Sequence, residues 1–290
     1  MTIYNLGSIN ADHFYAVPHL PGAGETLAAT ALTTGLGGKG ANQSVAAAQA
    51  GAEVVHMGAV GRDGAWAVDR LASYGVQTQA IAETETPTGH AVICVDPAGE
   101  NQIILYPGAN HALGADQLAV LDAAGSGDWL ILQNETNLQA EAAKRARGQG
   151  ALVAYSAAPF AVDSVRAMMP HVDLLLLNAV EARQLSRALG VAVADLPVPQ
   201  IVVTKGADGA EWIGPNRGET VSVPAQEVDA VDTTGAGDTF AGYMVAGLSQ
   251  SMVPGDALRL AAAAAALKVT RAGTADAIPT RVEVDAFLKI

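Results

Sequence analysis

The sequence predicts an α/β protein built on a mostly parallel sheet with helices on both faces. Residues 129–133, 151–155 and 174–177 are short apolar runs typical of buried strands, and residues 138–147 have a helical pattern between the first two. Continuous apolar strands separated by helices indicate a parallel sheet covered on both sides. Half of the 290 residues are apolar, Ala, Val and Leu carry most of that share, and only 4% are aromatic. Alanine-rich helices pack closely on a sheet, which favours a layered α/β fold over a β-sandwich.

The other main elements follow from the same patterns in chain order. A strand is predicted at residues 3–6, a helix at 41–50 and a second strand at 54–60. A further helix covers residues 69–73, and a late strand covers 201–204. The alternation of strand and helix extends the parallel sheet toward both ends of the chain.

A smaller β-rich flap is predicted from two segments, residues 9–37 and 89–107. Residues 89–96 and 102–107 alternate in polarity and are joined by turn residues, which is a hairpin signal. The first segment is mixed in character and predicts loops with short strands. No repeat or linker divides the chain, so residues 1–290 are predicted to form a single domain.

Charge and cysteine content exclude several classes of partner. Sixteen Lys and Arg residues against 29 Asp and Glu residues give a formal charge of −13, which disfavours nucleic acid and anionic lipid as partners. Cys94 is the only cysteine, so no intrachain disulfide forms, and its place in an apolar run predicts a buried thiol. With no secretory signal and no apolar run of membrane-spanning length, a cytoplasmic location is expected.

The first informative segment runs from Gly35 to Gln43 and contains a G-x-G-x-x-G pattern. A dinucleotide site needs a buried strand before this pattern and an acidic residue about 20 positions after it. Here the preceding run is a poor buried strand, and Glu53 follows too closely. A flexible turn explains the glycines but not the polar side chains of Lys39 and Asn42. Those side chains suit a polyhydroxylated ligand that the backbone approaches closely.

The second informative segment, residues 232–242, places small residues at the start of a helix. Gly235, Ala236 and Gly237 leave main-chain N–H groups available, and a helix N-terminus favours phosphate or developing negative charge. Asp238 lies in the first turn, where a phosphate cradle alone would not require a carboxylate. Either Asp238 only complements the helix dipole, or it takes a proton from a nucleophile while the amides hold a transferring phosphoryl group.

Together these two segments resemble the two signature motifs of the ribokinase-like (PfkB) carbohydrate kinases, and the resemblance covers nearly the whole chain. It implies a three-layer α/β/α fold with a mostly parallel central sheet and a small β-sheet lid through which a homodimer forms. It also implies ATP-dependent transfer of the γ-phosphoryl group to a primary hydroxyl of a pentose, D-ribose first. Asp238 would be the catalytic base and the amides of residues 235–237 the anion hole, with Mg²⁺ bridging the phosphates.

The same resemblance assigns the remaining site residues. The sugar-binding residues it implies are Asn10, Asp12, Gly38, Lys39, Asn42 and Glu135. The ATP-binding residues it implies are Asn178, Thr204, Lys205, Gly206 and Gly209, and Glu181 would act on Mg²⁺ through water. The monovalent-cation (K⁺) site it implies is formed by Asp232, the main-chain carbonyl of Thr234 and the main chain around Arg271 and Gly273.

Two positions depart from the family's pattern. Ala277 stands where relatives can carry a serine near the cation site, and Ser156-Ala157 stands where they often carry Asn-Pro. Three alternatives stay open at this stage. They are a kinase for another acceptor (a nucleoside, fructose or a keto-deoxy sugar acid), a non-catalytic sugar-binding protein on the same fold, and a dehydrogenase.

Overall fold

A computed structural model describes residues 1–214 and 218–289 of the chain and shows two β-sheets. Residues 215–217 and 290 of the predicted domain lie outside this description. The larger sheet has nine strands, in the order β13-β12-β11-β10-β9-β8-β1-β4-β5. Its strands are β1 (Thr2–Leu6), β4 (Glu53–Gly61), β5 (Gln77–Thr84), β8 (Trp129–Gln133), β9 (Leu152–Ser156), β10 (Leu174–Asn178), β11 (Gln200–Thr204), β12 (Ala210–Gly214) and β13 (Glu219–Val223).

The strand order of this sheet reverses next to β1. The chain proceeds from β1 to β4 and β5 on one side, and then from β8 to β11 on the other. All seven of these strands are parallel, whereas β12 pairs with β11, and β13 with β12, in an antiparallel manner. In an open α/β sheet, ligands bind beyond the carboxyl ends of the strands where the order reverses. The fold therefore points to the segments that follow β1 and β8.

Helices cover both faces of the large sheet and enclose two apolar cores. Adjacent residues of one strand face opposite layers, so that Ile131 packs in one core and Leu130 and Leu132 in the other. On the first face lie α1 (Lys39–Gln49), α2 (Ala65–Ser73), α6 (Ala236–Ser249), α7 (Pro254–Val269) and α8 (Arg281–Phe287). On the second face lie α3 (Gln139–Gly148), α4 (Val162–Met168) and α5 (Ala179–Leu189). The predicted three-layer α/β/α fold with a mostly parallel sheet is confirmed.

The second sheet has four strands in the order β3-β2-β6-β7. It is formed by β2 (Asn10–Ala16), β3 (Ala31–Gly37), β6 (Gly89–Val95) and β7 (Asn101–Tyr106). The predicted hairpin is present as the antiparallel pair β6–β7, and β2 pairs with β6 in parallel. This is the small sheet that the sequence predicts, and β2 carries two residues of the implied sugar site.

Several elements differ from the sequence expectations. The first flap segment, expected as loops with short strands, forms two regular seven-residue strands, because β3 pairs along its whole length with β2. Most of β3 is exposed, so its side chains carry little of the apolar pattern of a buried strand. Strand β5 is only half-buried at the sheet edge, and its polar residues likewise hide it. In the part of the chain that the structure describes, none of the helices has the length and apolar character needed to span a bilayer.

Candidate active site

The turn that follows β1 packs directly on the start of α1. A Cβ on Gly40 would lie 2.3 Å from the Cα of Gly7, so only glycines permit this approach. The main-chain oxygen of Ser8 accepts a hydrogen bond from the N–H of Ala41 (2.9 Å). This contact fixes the first turn of α1 at the carboxyl end of β1, where the strand order reverses.

The carboxylate of Asp238 is buried at the N-terminus of α6 and is held by two amides of α1. Its Oδ2 accepts a hydrogen bond from Asn42 Nδ2 and its Oδ1 accepts one from Gln43 Nε2, both 3.1 Å long. The two helices pack closely at Gly242, where a Cβ would lie 2.5 Å from the Cβ of Ala46. The two glycine-rich segments of the sequence therefore meet at this carboxylate.

Main-chain N–H groups face outward beside Asp238. Gly235 precedes α6 in the left-handed conformation (φ 73°), which a glycine adopts without strain. The N–H groups of Gly235 and Gly237 have no hydrogen-bond acceptor among the described residues. The N–H of Ala236 differs from the sequence expectation, because it donates to the main-chain oxygen of Thr233 at 3.2 Å. A helix N-terminus with free donors is a binding site for phosphate oxygens.

The residues implied for sugar binding lie near Asp238, whose charge acts on Asp12 and Lys39. Asn10 and Asp12 are buried on β2, and Asn10 Oδ1 accepts a hydrogen bond from Asn110 Nδ2 (2.7 Å). Glu135 follows β8, and its Oε2 accepts hydrogen bonds from Ser8 Oγ (2.5 Å) and from the N–H of Lys39 (3.1 Å). These hydrogen bonds join the turn after β1, the start of α1 and the segment after β8.

Gly38 and Asn42 complete the implied sugar set. Gly38 is the residue before the first turn of α1, and a Cβ there would lie 2.7 Å from the main-chain oxygen of Ser8. The Oδ1 atom of Asn42 is buried and has no hydrogen-bond partner among the described residues. A buried acceptor without a partner is costly unless a ligand supplies the donor.

The charged groups of this cluster shift one another's pKa values. Burial, together with the charges of Glu135 and Asp238, raises the pKa of Asp12 from 3.8 to about 7. The charge of Asp238, followed by those of Glu135 and Glu181, raises the pKa of Lys39 against the opposing effect of burial. Lys39 is therefore a cation surrounded by carboxylates, and these side chains form one interacting group.

A cavity of about 590 Å³ adjoins the outward-facing amides. It begins at the end of β11 and the loop that follows, where it is lined by Thr204, Gly206 and Gly209 of the implied ATP-binding set, and it ends at Ala236 and Gly237. Small apolar residues form much of the rest of its wall, including Ala225, Val228, Ala230, Ala262, Ala265 and Ala266, and Gln226, Glu227, Thr233 and Phe240 also line it. The volume and the apolar lining suit a flat heterocyclic group whose polar end reaches the start of α6.

Two residues implied for ATP binding do not line this cavity. Lys205 Nζ instead pairs with Glu211 (2.7 Å) on the neighbouring strand. The side chain of Asn178 caps α5 by accepting hydrogen bonds from the N–H groups of Val180 and Glu181, each 2.9 Å long. That capping interaction accounts for the Asn-x-x-Glu pattern without a ligand.

Glu181 interacts with the site through its charge, which acts on Lys39. Its Oε2 accepts the N–H of Asn178 (2.7 Å), and burial raises its pKa against the effects of that hydrogen bond and of Lys39. The mutual effect of Lys39 and Glu181 shows that the end of β10 belongs to the same group of charges as Asp238.

The residues of the implied cation site are brought together only in part. Asp232 Oδ1 accepts the N–H of Thr234 and Oδ2 accepts the N–H of Gly273, both at 2.9 Å. The guanidinium of Arg271, which is not part of the implied site, donates to Glu283 (2.7 Å). The ammonium of Lys268 contacts Asp232 instead, and burial lowers the pKa of Lys268 while the charge of Asp232 raises it.

Comparison with known proteins decides the family. The model of the pfkB family carbohydrate kinases matches residues 2–281. The chain belongs to this family.

Individual members of the family are similar over their full lengths. The ribokinase of Haemophilus influenzae is 35% identical over 99% of this chain and 98% of its own, and the deoxyribokinase of Salmonella typhi is 31% identical over 100% and 99%. A solved structure of Arabidopsis thaliana ribokinase complexed with ribose and ATP superposes with a TM-score of 0.87. That structure is 28% identical and covers 100% of this chain and 98% of its own. The predicted carbohydrate-kinase family and its fold are thus confirmed.

Some residues of this family member's site are missed by sequence reasoning about single motifs. Gln43 lies in the first glycine-rich segment but receives no role from the sequence, yet its amide donates a hydrogen bond to Asp238. Gln133 Nε2 in turn donates to Gln43 Oε1 (2.8 Å). Ser8 and Asn110 orient Glu135 and Asn10. A buried amide in an apolar strand, such as Gln133 after Trp-Leu-Ile-Leu, is the signal that would have found one of them. Asn110 carries no comparable signal, because it lies in an irregular segment about 100 residues from its partner.

The raised pKa of Asp12 predicts a pH-dependent stability. Between about pH 4 and 7 the folded protein keeps this proton and the unfolded chain does not, so the free energy of unfolding falls as the pH rises. From pH 5 to pH 8 the free energy of unfolding of wild type should fall by about 2–3 kcal/mol more than that of Asp12→Asn. Urea unfolding at both pH values measures the difference. Asp69→Asn, at an exposed position, serves as the control and should behave as wild type; equal pH dependence of Asp12→Asn and wild type would contradict the prediction.

Proposed function

We propose that this carbohydrate kinase transfers the γ-phosphoryl group of ATP to the primary hydroxyl of D-ribose, giving D-ribose 5-phosphate. One observation carries the proposal. The buried carboxylate of Asp238 and the free N–H groups of Gly235 and Gly237 lie at one helix tip, between a polar cluster and an apolar cavity. A base and an anion hole beside two binding regions are what in-line phosphoryl transfer requires.

The polar cluster supports a neutral polyhydroxylated acceptor. In this proposal the acceptor lies among the carboxylates of Asp12 and Glu135, the amides of Asn10 and Asn42, and Lys39. Paired carboxylate and amide groups suit vicinal hydroxyls, each of which both donates and accepts. A single lysine among carboxylates disfavours a phosphosugar, which would bring additional negative charge.

The apolar cavity supports ATP as the phosphoryl donor. The adenine ring would lie against the alanines of α7 and the loop after β11, and the phosphates would extend to the start of α6. The site also fits Mg²⁺, because the carboxylate of Glu181 would accept hydrogen bonds from water molecules in the hydration shell of the ion. When bound, Mg²⁺ neutralises charge on the phosphate oxygens.

In the proposed reaction, Asp238 accepts the proton of the primary hydroxyl while the hydroxyl oxygen forms a bond to the γ-phosphorus. The bond from that phosphorus to the β–γ bridging oxygen breaks, and ADP leaves with the electron pair. The N–H groups of Gly235 and Gly237 stabilise the charge on the equatorial oxygens. Asn42 and Gln43 keep the carboxylate oriented during the transfer, and Lys39 balances its charge. We further propose that residues 1–290 act as one domain, with 9–37 and 89–107 as the lid.

A second candidate acceptor is 2-deoxy-D-ribose, because the chain is 31% identical to the deoxyribokinase of Salmonella typhi over its whole length. The two sugars differ by one hydroxyl. A site built to hydrogen-bond a hydroxyl discriminates strongly against the analogue that lacks it, because its buried polar groups are left unpaired. Asp12 and the unpartnered Asn42 Oδ1 are such groups.

The acceptor is tested with an ADP-release assay over D-ribose, 2-deoxy-D-ribose, D-fructose, adenosine and 2-keto-3-deoxygluconate. We expect kcat/KM for D-ribose to exceed each of the other values by at least about tenfold. A higher value for adenosine or fructose would overturn the assignment of the acceptor. Ribose binding in calorimetry without any ADP release would instead identify a non-catalytic sugar-binding protein.

The role of Asp238 is tested with Asp238→Asn. We expect kcat to fall at least about 100-fold while the dissociation constant of ribose changes only modestly, because the general base is lost and the contacts remain. Single-turnover kinetics and calorimetry measure the two quantities. Asp256→Asn is the matched control, since Asp256 also lies in the first turn of a helix but is exposed. If Asp238→Asn lowers the rate no more than Asp256→Asn does, Asp238 only complements the helix dipole.

The small sheet also supports a homodimer. Its edge strand β7 exposes four consecutive large side chains, Ile103, Ile104, Leu105 and Tyr106, of which Ile104 is 68% exposed. An apolar edge strand in contact with water favours association with another strand or sheet face. We expect the wild type to be a dimer in light scattering and Ile104→Lys to be a monomer. Val282→Lys, at an exposed valine on α8, should stay dimeric; a monomeric wild type would refute this interface.

A further inference from the structure

The kinase reaction proposed above leaves one buried cation without a role. Lys268 lies near the end of α7, and its side chain is 0% exposed. Its ammonium donates a hydrogen bond to the main-chain oxygen of Asp232 (2.9 Å) and lies 3.8 Å from Oδ2 of the same residue. Lysine is rarely buried completely without a charged partner, and Asp232 is that partner among the described residues.

Asp232 connects this ammonium to the anion hole. Its carboxylate accepts the N–H of Thr234 on one oxygen and the N–H of Gly273 on the other, and its own N–H donates to the main-chain oxygen of Val269 (3.0 Å). These bonds tie the segment that enters α6 to the segment that leaves α7. Gly235, with its free N–H group, follows Asp232 by three positions. A charge placed at Asp232 therefore acts on the position of the amides that face the phosphoryl group.

The described residues do not fit the monovalent cation that the sequence resemblance implies at this place. The main-chain oxygen of Asp232 is already bonded to the ammonium of Lys268, and the carboxylate faces the same ammonium. A cation bound to Asp232 would lie beside a buried positive charge, and like charges repel strongly where water is excluded. Ala277, in the neighbouring segment, brings no side-chain oxygen.

We propose that the ammonium of Lys268 supplies, as a fixed part of the chain, the positive charge that a bound monovalent cation would supply, so that this kinase works without potassium. Lys268 is a positioning residue, because it acts through Asp232 and touches neither substrate. The inference rests on the proposed phosphoryl transfer at Asp238 for its consequence in the reaction. The ion-binding consequence is independent of that reaction.

The activity test compares potassium with choline at constant ionic strength in wild type, Lys268→Ala and Lys268→Met. The kcat of wild type should differ less than about twofold between the two salts. The kcat of Lys268→Ala should fall at least about tenfold in choline and recover most of its value in potassium. The shortened side chain leaves space for an ion and leaves the negative charge of Asp232 without a partner. Lys268→Met fills the same space without charge, so it should be slow in both salts. Activation of wild type by potassium of about tenfold, or a Lys268→Ala variant that ignores potassium, would overturn the proposal.

Ion binding is read separately from turnover, without any substrate. The melting temperature of wild type should be the same in potassium and choline, and that of Lys268→Ala should rise in potassium. Crystals soaked in thallium(I) should show an anomalous peak beside Asp232 only in Lys268→Ala. A peak there in wild type refutes the proposal even if the variants do not fold. A wild type that binds no ion and also fails to phosphorylate ribose would contradict the proposed function and leave the replacement of the ion by Lys268 supported.

Discussion

Two hydrogen bonds to the carboxylate of Asp238 determine how the rest of the site is arranged. They come from Asn42 and Gln43 and join segments of the chain that are 196 and 195 positions apart. Both amides lie on the first turns of α1, whose place is set by the contact of Gly40 with Gly7. Because each end of this connection is fixed by close main-chain packing, the carboxylate has little freedom to turn. The carboxylate that we propose as the base and the amides of α6 are therefore held together before a substrate binds, which is the condition for electrostatic preorganisation.

The same arrangement places the carboxylates of the site in different environments. Each oxygen of Asp238 accepts one amide N–H, and each keeps a lone pair for a further donor. The carboxyl group of Asp12 accepts no hydrogen bond from the described residues and lies against Gly37, so burial dominates and its pKa rises to about 7. A polar group left without protein partners inside the site is the one that the hydroxyls of a ligand must satisfy. Burial and hydrogen bonding thus distinguish the carboxylate that we propose as the base from the carboxylate that we propose to bind the acceptor.

Most of the fold could be predicted from the sequence, because the buried strands β8, β10 and β11 contain continuous apolar runs. Strands at sheet edges and in the small sheet were harder to predict, because their exposed faces remove the pattern that burial creates. In the site, the motif residues were found because small residues beside Lys39 or Asp238 are unusual in composition. Lys268 could not be found, since a lysine in an alanine-rich helix reads as a solvated side chain. Its burial depends on Asp232, which lies 36 positions earlier in the chain.

The formal charge of −13 is compatible with binding a polyanionic nucleotide, because the site does not rely on the net charge of the surface. In the proposed site, the donors that face the phosphates are main-chain N–H groups of Gly235 and Gly237, which are neutral dipoles held in a fixed direction by the helix. The positive charges near the site, Lys39 and Lys268, are both surrounded by protein carboxylates or carbonyl groups. Each lysine offsets a negative charge that would otherwise repel the phosphates at short range, where the dielectric screening is weak. Local placement of a few donors and two cations thus decides whether this acidic chain can hold a nucleotide, and the remaining surface charge acts only through screened, longer distances.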